Sequence, residues 1–440
     1  MYHIKEAAEL SGVSIKTLHH YDKIGLLVPV KSENGFRTYS QEDLERLQVI
    51  LYYKYLGFSL DQIAELLAEE KSNLLPHLTK QLDYLTQERK RLDTLISTLQ
   101  KTIQEQKGER QMTIEEKFSG FSYQDTQKYQ QEAVEKYGCG IAVEDYHDVL
   151  TDPEVEAVSV CTPNKMHATI AIDAMRAGKH VLCEKPAART YAEALEMQKV
   201  QHETGMTLNI GVVNRFNDMV NLIRNYIQEG RLGEIYHVYI SFRAFRSIPG
   251  LGGAFTTKEI AGGGSLIDWG VHYLDLVMYC LNDPKPLTVS GETFCKLGKD
   301  MEGYVYRDMW AGPPQYDGVY DVDDSVTALI RTEGPVFTVT GAWAQNIDED
   351  DKYIDFMGDK GGIRLQYGGD FTLYTVEHGA LVKYTPELQT KNMFETEINS
   401  FVRCVRTGEK LPSHIDTAVL TSQIMQAIYD SAETHREVVL

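Results

Sequence analysis

Several features that mark other protein classes are missing from this 440-residue sequence. Its six cysteines form no Cys-x-x-Cys pair, so neither a zinc site nor a disulfide framework is predicted. No apolar stretch approaches the roughly 20 residues that a membrane-spanning helix needs, and no signal-peptide pattern opens the chain. We therefore expect a globular protein of the reducing cytoplasm that has no metal site and does not associate with a membrane.

Basic residues are fewer than acidic residues, and this excess of negative charge is unevenly distributed along the chain. The chain has 44 Lys and Arg against 64 Asp and Glu, a net charge of −20. Residues 1–110 hold 15 basic and 16 acidic residues, which leaves 29 and 48 for the remainder. Because an acidic surface repels nucleic acid, any contact with DNA must come from a local patch in the near-neutral N-terminal part.

One long helical segment carries a narrow apolar seam. With a single polar interruption at Arg89, the steps alternate between four and three residues: Leu78, Leu82, Leu85, Leu92, Ile96, Leu99 and Ile103. This spacing is typical of a coiled coil, in which the same helix of a second copy covers the seam. We predict a homodimer through residues 78–103, within a coiled-coil helix over 74–110. The alternative is an amphipathic helix that packs on its own domain.

The segment before this helix has the order of a small DNA-binding domain. Residues 4–10 have helical spacing, and a tight turn follows in which Ser14 caps a second short helix. Asn34-Gly35 between β-prone residues predicts a hairpin, which after two such helices would be a wing. Ser40 and Asp43 have capping-box spacing and open another helix. The pattern predicts an all-α winged helix-turn-helix domain over residues 1–73.

The runs GVSIKTLHHYDKIGLL, NGFRTYS, DLERL and GFSLDQI, in this order, resemble the MerR family of transcriptional regulators over residues 2 to about 107. The resemblance implies that promoter DNA is the partner, with the second helix in the major groove and the wing on the phosphate backbone. It assigns the DNA contacts to residues of donor type: Lys16, Thr17, His19, Tyr21, Arg37 and Tyr39. Since residues 1–111 contain no cysteine, metal sensing is not expected.

From residue 123 onward the pattern changes to alternating helices and strands. This alternation predicts right-handed βαβ units, which we assign to a linker and an incomplete α/β Rossmann domain over residues 111–234. After residue 235, strands with period-two alternation predict an α+β domain with an antiparallel sheet and closing helices over 235–440.

The runs CTPNKMHATIAIDAMRAGKHVLCEKP and GGGSLIDWGVHYLDL resemble the Gfo/Idh/MocA family of nicotinamide-dependent oxidoreductases over residues of about 125 to 440. The resemblance implies NAD or NADP as cofactor and a sugar or polyol as ligand. It assigns Lys185 or His272 as the acid/base and Asp268 as the residue that orients the substrate. It places a second group near the nicotinamide: Pro163, Asn164, His167, Glu184 and Arg215.

The residues of this second resemblance are chemically coherent. Pro186 favours extended backbone at Lys185, at the strand end where α/β sheets bind ligands. Asp268 and His272 are four residues apart and share one face if they are helical. The glycines at 262–264 are expected to let the backbone approach a ligand closely.

The glycine-rich turn that seats a dinucleotide pyrophosphate is absent. No G-x-G-x-x-G occurs after a strand; the pairs that start at Gly138, Gly250 and Gly262 do not complete it. The first strand, helix and second strand of the Rossmann unit are missing, with the MerR-like segment in their place. We expect weak dinucleotide binding or none, and an exposed sheet edge unless residues 123–137 or a second subunit cover it.

Three interpretations follow. The first is a dimeric regulator whose oxidoreductase-like body senses a sugar or polyol. The second is an NAD(P)-dependent sugar or inositol oxidoreductase that also binds DNA. The third is a fusion with an intact head and a nonfunctional body.

Overall fold

The computed structural model describes residues 2–31, 37–55, 63, 67, 75–107, 113, 141–307 and 309–440. Contacts within the chain divide it into two compact units, which we call the head (Met1–Ala142) and the body (Val143–Leu440).

The head contains short helices and strands followed by one long helix: β1 (Tyr2–His3), α1 (Ile4–Ser11), α2 (Ile15–Lys23), β2 (Val30–Lys31), β3 (Arg37–Tyr39), α3 (Gln41–Tyr55) and α4 (Leu75–Gln106). The predicted caps are confirmed. The Ser14 hydroxyl accepts the Thr17 N–H at 3.0 Å and starts α2. Ser40 and Asp43 exchange two hydrogen bonds, at 3.0 and 2.7 Å, and start α3.

The three strands of the head form one antiparallel sheet in the order β1-β3-β2. The pairing of β2 with β3 confirms the predicted hairpin, although its Asn34-Gly35 tip lies outside the described residues. Strand β1 was not predicted, and the all-α description of the head is wrong. Two residues give no readable alternation, yet β1 covers the second edge of β3, which would otherwise leave its backbone groups unpaired.

Helix α4 spans 32 residues and contains the predicted seam. The seam residues whose exposure the structure describes beyond residue 80 are all exposed in the single chain: Leu82, Leu92, Ile96, Leu99 and Ile103. The short helix predicted after Gly57 lies almost wholly outside the described residues.

The first part of the body alternates strands and helices as predicted: α5 (Tyr146–Thr151), β4 (Ala157–Val160), α6 (Asn164–Arg176), β5 (His180–Glu184), α7 (Tyr191–Thr204) and β6 (Leu208–Gly211). The strands are parallel, in the order β4-β5-β6. Within the described residues β4 has a neighbour on one side alone, which matches the expected open edge. The helix predicted to end at Tyr137 lies outside those residues.

The rest of the body begins with a 3₁₀ turn (Val213–Phe216) and continues through α8 (Asp218–Gln228), β7 (Ile235–Arg243), a 3₁₀ turn (Ala254–Thr256), α9 (Lys258–Ala261), a π-helical turn (Leu266–Gly270), α10 (Val271–Cys280), β8 (Pro286–Phe294), β9 (Ser325–Thr332), β10 (Val336–Ala342), β11 (Asp351–Gly358), β12 (Gly361–Gln366), β13 (Phe371–Glu377), β14 (Ala380–Tyr384), α11 (Met393–Thr407), α12 (Ile415–Thr434) and β15 (Val438–Val439).

Nine of these strands form one sheet in the order β14-β13-β12-β11-β7-β10-β9-β8-β15. The predicted antiparallel sheet is mixed, because β10 runs parallel to β7 while the other pairs are antiparallel. A parallel neighbour needs a long crossover, and the chain between these two strands provides one. Helices α10 and α12 pack on the buried face, and α12 also contributes Ile415 and Val419 to the core of the parallel sheet.

The expected absences can be examined over part of the chain. The five described cysteines, all but Cys139, are free thiols. Among the described residues, no three His, Cys, Asp or Glu side chains gather as metal ligands would. In the same part of the chain, no helix combines the length and apolar character needed to cross a bilayer.

Candidate functional site

A cavity of about 270 Å³ lies beyond the carboxyl ends of β4 and β5 in the body. This is the edge at which open α/β sheets bind ligands. The cavity combines polar groups with aromatic and apolar side chains: Cys161, Thr162, Asn164, His167, Glu184, Lys185, Phe255, Ala261, Gly263, Ile267, Asp268 and Trp310. Its volume is slightly below the roughly 300–1,000 Å³ usual for ligand pockets, so it suits a compact ligand.

Lys185 and Asp268 form an ion pair in this cavity. The Lys185 ammonium donates to the Asp268 carboxylate Oδ1 at 3.0 Å and to the Asp268 carbonyl oxygen at 3.1 Å. The other carboxylate oxygen accepts the indole N–H of the fully buried Trp343 at 3.1 Å. Asp268 is therefore fixed from both sides, while one of the three donors of Lys185 is not used in these two bonds.

His272 stands close enough to Lys185 for their charges to interact. Burial, and then the Lys185 ammonium, lower the pKa of His272 to about 3, so its imidazole is neutral at physiological pH. Asp268 sits in the π-helical turn that leads directly into α10, which carries His272. Such turns occur often at functional sites. Lys185 and Asp268 thus meet in the cavity, whereas His272 does not line it.

The glycines at 262–264 were expected to let the backbone approach a ligand, but the structure gives a different reason for them. Gly262 has a φ of +87°, and a Cβ there would press on the Arg189 backbone. A Cβ at Gly264 would collide with the backbone of Asp323, and one at Gly263 would meet the Tyr429 ring. Close packing within the protein, rather than approach to a ligand, requires these glycines, although Gly263 also lines the cavity.

Four of the five residues expected near the nicotinamide lie at or beside the cavity. Asn164, His167 and Glu184 line the cavity, and Pro163 begins α6 beside it. The Asn164 amide donates to the Ala261 carbonyl oxygen at 2.8 Å. The buried His167 ring lies 2.8 Å from two carbonyl oxygens, those of Thr162 and Pro186, so it joins two loops of the cavity wall.

The assignment of Arg215 to the cofactor site is wrong. Its guanidinium is fully buried and forms two bonds, at 2.9 and 2.7 Å, with the Asp275 carboxylate. Two further bonds, at 2.7 and 2.8 Å, join it to the Pro412 carbonyl oxygen and the Thr417 hydroxyl. Arg215 therefore links the 3₁₀ turn, α10 and the start of α12, and it does not line the cavity.

A second carboxyl group accompanies Glu184. Glu397 on α11 is buried, and its Oε1 has no hydrogen-bond partner. Burial, and then the nearby Glu184, raise the pKa of Glu397 to about 8. The buried Glu397 carboxyl is therefore largely protonated and uncharged at physiological pH.

The described residues fit one end of a dinucleotide and not the whole molecule. Asn164, Glu184 and Lys185 offer polar contacts at the cavity. Within the described part of the chain, however, Ala157–Val160 is the first strand of the parallel sheet, and no glycine-rich turn links a strand of this sheet to a helix. The backbone cradle for a pyrophosphate is therefore not found there.

In the head, α2 presents part of the predicted DNA-contact group. Lys16 and His19 are exposed, and Thr17 is half-buried with its hydroxyl 2.8 Å from that of Ser14. The assignments of Tyr21 and Tyr39 to DNA do not agree with the structure, because both side chains lie in the core of the head with Leu18, Leu26 and Leu47. Their aromatic rings supply the apolar area that so small a domain needs.

Arg37 is also engaged within the head. Its guanidinium donates to Asp22 Oδ2 at 2.7 and 2.6 Å, and the Lys31 ammonium lies 2.9 Å from the same oxygen. Hydrogen bonding from Lys31, together with that from Arg37, lowers the pKa of Asp22. This cluster ties the hairpin to the end of α2, so Arg37 is not a free phosphate donor in this structure.

Sequence reasoning missed Trp343, Phe255 and Trp310. Trp343 lies 75 residues from its partner Asp268, and no local pattern joins the two. Phe255 and Trp310 belong to loops, where an aromatic residue has no periodicity to interpret. The one available signal was that a tryptophan at position 310 stands next to a turn sequence, Ala-Gly-Pro-Pro.

Four family models match the chain. "MerR HTH family regulatory protein" matches residues 2–70, and "MerR, DNA binding" matches residues 44–105. "Oxidoreductase family, NAD-binding Rossmann fold" matches residues 99–212, and "GFO/IDH/MocA C-terminal domain" matches residues 220–364.

Individual relatives divide in the same way. D-glucoside 3-dehydrogenase of Escherichia coli (strain K12) is 32% identical over 315 residues, which cover 70% of this chain and 86% of the relative. The HTH-type transcriptional activator mta of Bacillus subtilis (strain 168) is 41% identical over 148 residues, which are 32% of this chain and 58% of the relative. This chain thus spans little more than half of that activator.

The fold of the body also has solved counterparts. A levoglucosan dehydrogenase in complex with NADH and levoglucosan superposes with a TM-score of 0.62 at 24% identity, covering 71% of this chain and 87% of that one. The chain belongs to the Gfo/Idh/MocA oxidoreductase family through its body, which carries the Lys185–Asp268 pair. Its N-terminal head is a MerR-family regulatory domain.

Proposed function

We propose that this protein is a transcriptional regulator in which a MerR-type head binds promoter DNA and the oxidoreductase-like body senses a sugar or polyol. The observation that carries the proposal is the Lys185–Asp268 pair in the cavity of a body without a pyrophosphate cradle among its described residues. A small polar ligand fits such a cavity, whereas a whole dinucleotide lacks its strongest anchoring site.

The polar cluster is suited to hydroxyl groups. Lys185 keeps a donor available beyond its two bonds to Asp268. The names of the relatives indicate the ligand class, since D-glucoside and levoglucosan are both sugars.

On the DNA side, α2 would lie in the major groove and the β2–β3 hairpin would act as a wing on the backbone. Lys16 and His19 are exposed on α2, and Thr17 lies between them. Because Asp22 holds both Lys31 and Arg37, the hairpin has a fixed position relative to α2. We propose that Arg37 positions the wing rather than contacting a phosphate by itself.

Two copies would pair through a coiled coil of residues 78–103. The exposed seam residues Leu82, Leu92, Ile96, Leu99 and Ile103 support this pairing, since burying them would gain about 25 cal/mol per Å² of apolar surface. Replacing Ile96 and Leu99 by glutamate would place like charges across the seam. Sedimentation equilibrium should show a dimer for the natural protein and a monomer for this double variant.

The central test measures DNA binding with and without sugar. The full chain is titrated onto a DNA fragment from upstream of its own gene, and fluorescence anisotropy gives the Kd. Addition of methyl α-D-glucopyranoside or levoglucosan should change this Kd by about fivefold or more, the usual range for coupled sites. An unchanged Kd with every sugar would contradict the sensing function.

Two variants separate the parts of this test. Lys185→Met should abolish the sugar effect and leave DNA affinity as in the natural protein. Lys16→Ala should weaken DNA binding and leave sugar binding, measured by calorimetry, unchanged. If Lys185→Met responded to sugar like the natural protein, the cavity would not be the sensing site.

The second candidate is an NAD(P)-dependent oxidoreductase that also binds DNA. The observation that favours it is the proximity of Lys185 to a neutral His272, since either side chain can hold or move the proton of a sugar hydroxyl. When bound, the cofactor would supply the hydride acceptor. Calorimetric titration with NAD and NADP decides between the candidates: a micromolar Kd, with reduction of the dinucleotide on addition of sugar, would favour the enzyme.

A further inference from the structure

Two aromatic side chains form one wall of the cavity that holds Lys185 and Asp268. The rings of Phe255 and Trp310 meet edge to face, with centroids 4.8 Å apart and planes at 73°. Both residues line the cavity. Trp310 is 62% exposed, so folding leaves much of this large apolar side chain in contact with solvent. A purely structural aromatic pair would bury its faces, because burial is what stabilises it.

The segments that carry this wall are fixed by backbone contacts. The Ala311 N–H donates to the Pro249 carbonyl oxygen at 2.9 Å, and the Gln315 N–H donates to the Leu251 carbonyl oxygen at 2.8 Å. Directly after Leu251, Gly252 has a φ of +73°, and a Cβ there would collide with the Gln315 backbone. The loop of Trp310 is therefore held against the loop that precedes Phe255.

The turn that bears Phe255 is anchored in the same way. The fully buried Thr256 hydroxyl lies 3.0 Å from the Val319 carbonyl oxygen and 3.3 Å from that of Gly253. The backbone that carries each ring is thus held by contacts within the protein. A wall that is already ordered loses little conformational entropy on binding, which increases affinity.

We propose that Phe255 and Trp310 recognise the apolar C–H face of a pyranose ring, while the hydroxyls of that ring reach Lys185 and Asp268. This inference rests on the proposed function and narrows its ligand class from sugars and polyols to cyclic pyranosides. A pyranose ring has one face formed by C–H groups and a rim of hydroxyls, which matches a cavity with one aromatic wall and a polar cluster. An acyclic polyol has no fixed face and loses more rotational freedom on binding.

The experiment uses the full chain and two probes, methyl α-D-glucopyranoside and the acyclic polyol sorbitol. Binding is measured by calorimetry and by tryptophan fluorescence. The chain has three tryptophans, of which Trp343 is fully buried, Trp269 is half-buried and Trp310 is exposed. Loss of the emission change in Trp310→Phe assigns that change to Trp310. We expect the glucoside to bind and to change this emission, and sorbitol to bind at least about tenfold more weakly.

Substitutions then test the wall itself. Trp310→Ala should weaken glucoside binding by roughly tenfold and Phe255→Ala by somewhat less, whereas Trp310→Phe should stay within about threefold of the natural protein. Tyr316→Ala is the matched control, because this exposed aromatic residue follows in the same loop and does not line the cavity. Circular dichroism confirms that each variant is folded.

The outcomes separate this inference from the proposed function. If Trp310→Ala binds the glucoside like the natural protein while Lys185→Met does not, the aromatic wall does not recognise the sugar, and the proposed sugar sensing stands. Equal affinity for glucoside and sorbitol overturns the recognition of a ring face. If the natural protein binds neither probe, both the inference and the proposed sensing of sugars fail.

Discussion

The body contains two ion pairs of similar chemistry in different surroundings. Arg215 and Asp275 have side chains that are 0% and 1% exposed, and both are surrounded by further hydrogen-bond partners. Lys185 and Asp268 have side chains that are 20% and 10% exposed and open onto a cavity. The buried Arg215–Asp275 pair, which we call the closed pair, joins elements of the fold. The Lys185–Asp268 pair, which we call the open pair, has an unused N–H donor that can bind a ligand. Exposure, and not residue type, separates the two roles.

The largest expected effect comes from breaking the closed pair. Arg215→Met leaves the Asp275 carboxylate buried without its cation, which should lower the free energy of unfolding by about 3–5 kcal/mol. Denaturant unfolding followed by tryptophan fluorescence measures this in the body alone, because all three tryptophans, at 269, 310 and 343, lie there.

The matched control for Arg215→Met is Lys185→Met. Its pair is partly solvated, so the free energy of unfolding should fall by about 1 kcal/mol while sugar binding is lost. Equal destabilisation by the two variants would show that the pairs do not differ as we infer.

Glu397 extends the comparison to a buried carboxyl without a cation. Burial and Glu184 raise its pKa to about 8, above the ordinary value near 4.3. Since the folded protein binds this proton more tightly, the stabilising contribution is complete below about pH 4.3 and is lost as the pH rises through about 8.

Glu397→Gln tests this directly. The free energy of unfolding of the natural protein should decline between these pH values by at most about 1.4 kcal/mol per pH unit, and the glutamine variant should decline less. Denaturant titrations across this pH range provide the measurement, with Glu395→Gln, an exposed residue of the same helix, as control. Identical slopes for Glu397→Gln and the natural protein would refute the raised pKa.

The smallest expected effect on sugar binding comes from a residue that supports the open pair. Trp343→Phe removes the N–H that Asp268 Oδ2 accepts and leaves a buried oxygen with one partner fewer, at a cost of about 1–3 kcal/mol. Sugar affinity, measured by calorimetry, should fall by roughly tenfold, because Asp268 no longer has a fixed orientation. Trp269→Phe, a half-buried ring outside the cavity lining, is the control; equal losses in both variants would remove the positioning role.

Much of the architecture could be predicted from the sequence because its signals are local. Ser14 and Ser40 marked helix starts through hydrogen bonds that span three residues. The βαβ alternation and the period-two strands appeared at the predicted places. Motifs carried by contiguous residues also sufficed to recognise both families and to single out Lys185, Asp268 and His272.

The errors came from features that depend on distant residues. Tyr21, Tyr39 and Arg37 have the right chemistry for DNA, yet the core of the head and Asp22 use them. The family resemblance placed Arg215 near the nicotinamide, yet Asp275, 60 residues away, holds it.

By itself, then, the sequence determined the two families, the alternation of strands and helices at the start of the body and the candidates Lys185, Asp268 and His272, since each is written in neighbouring residues. Only the tertiary structure decided which charged groups are already paired, and that Trp343, Phe255 and Trp310 belong to the cavity. The physical reason is that pairing and burial depend on which residues meet in space, and the local pattern of a chain does not specify contacts across 60 or more positions.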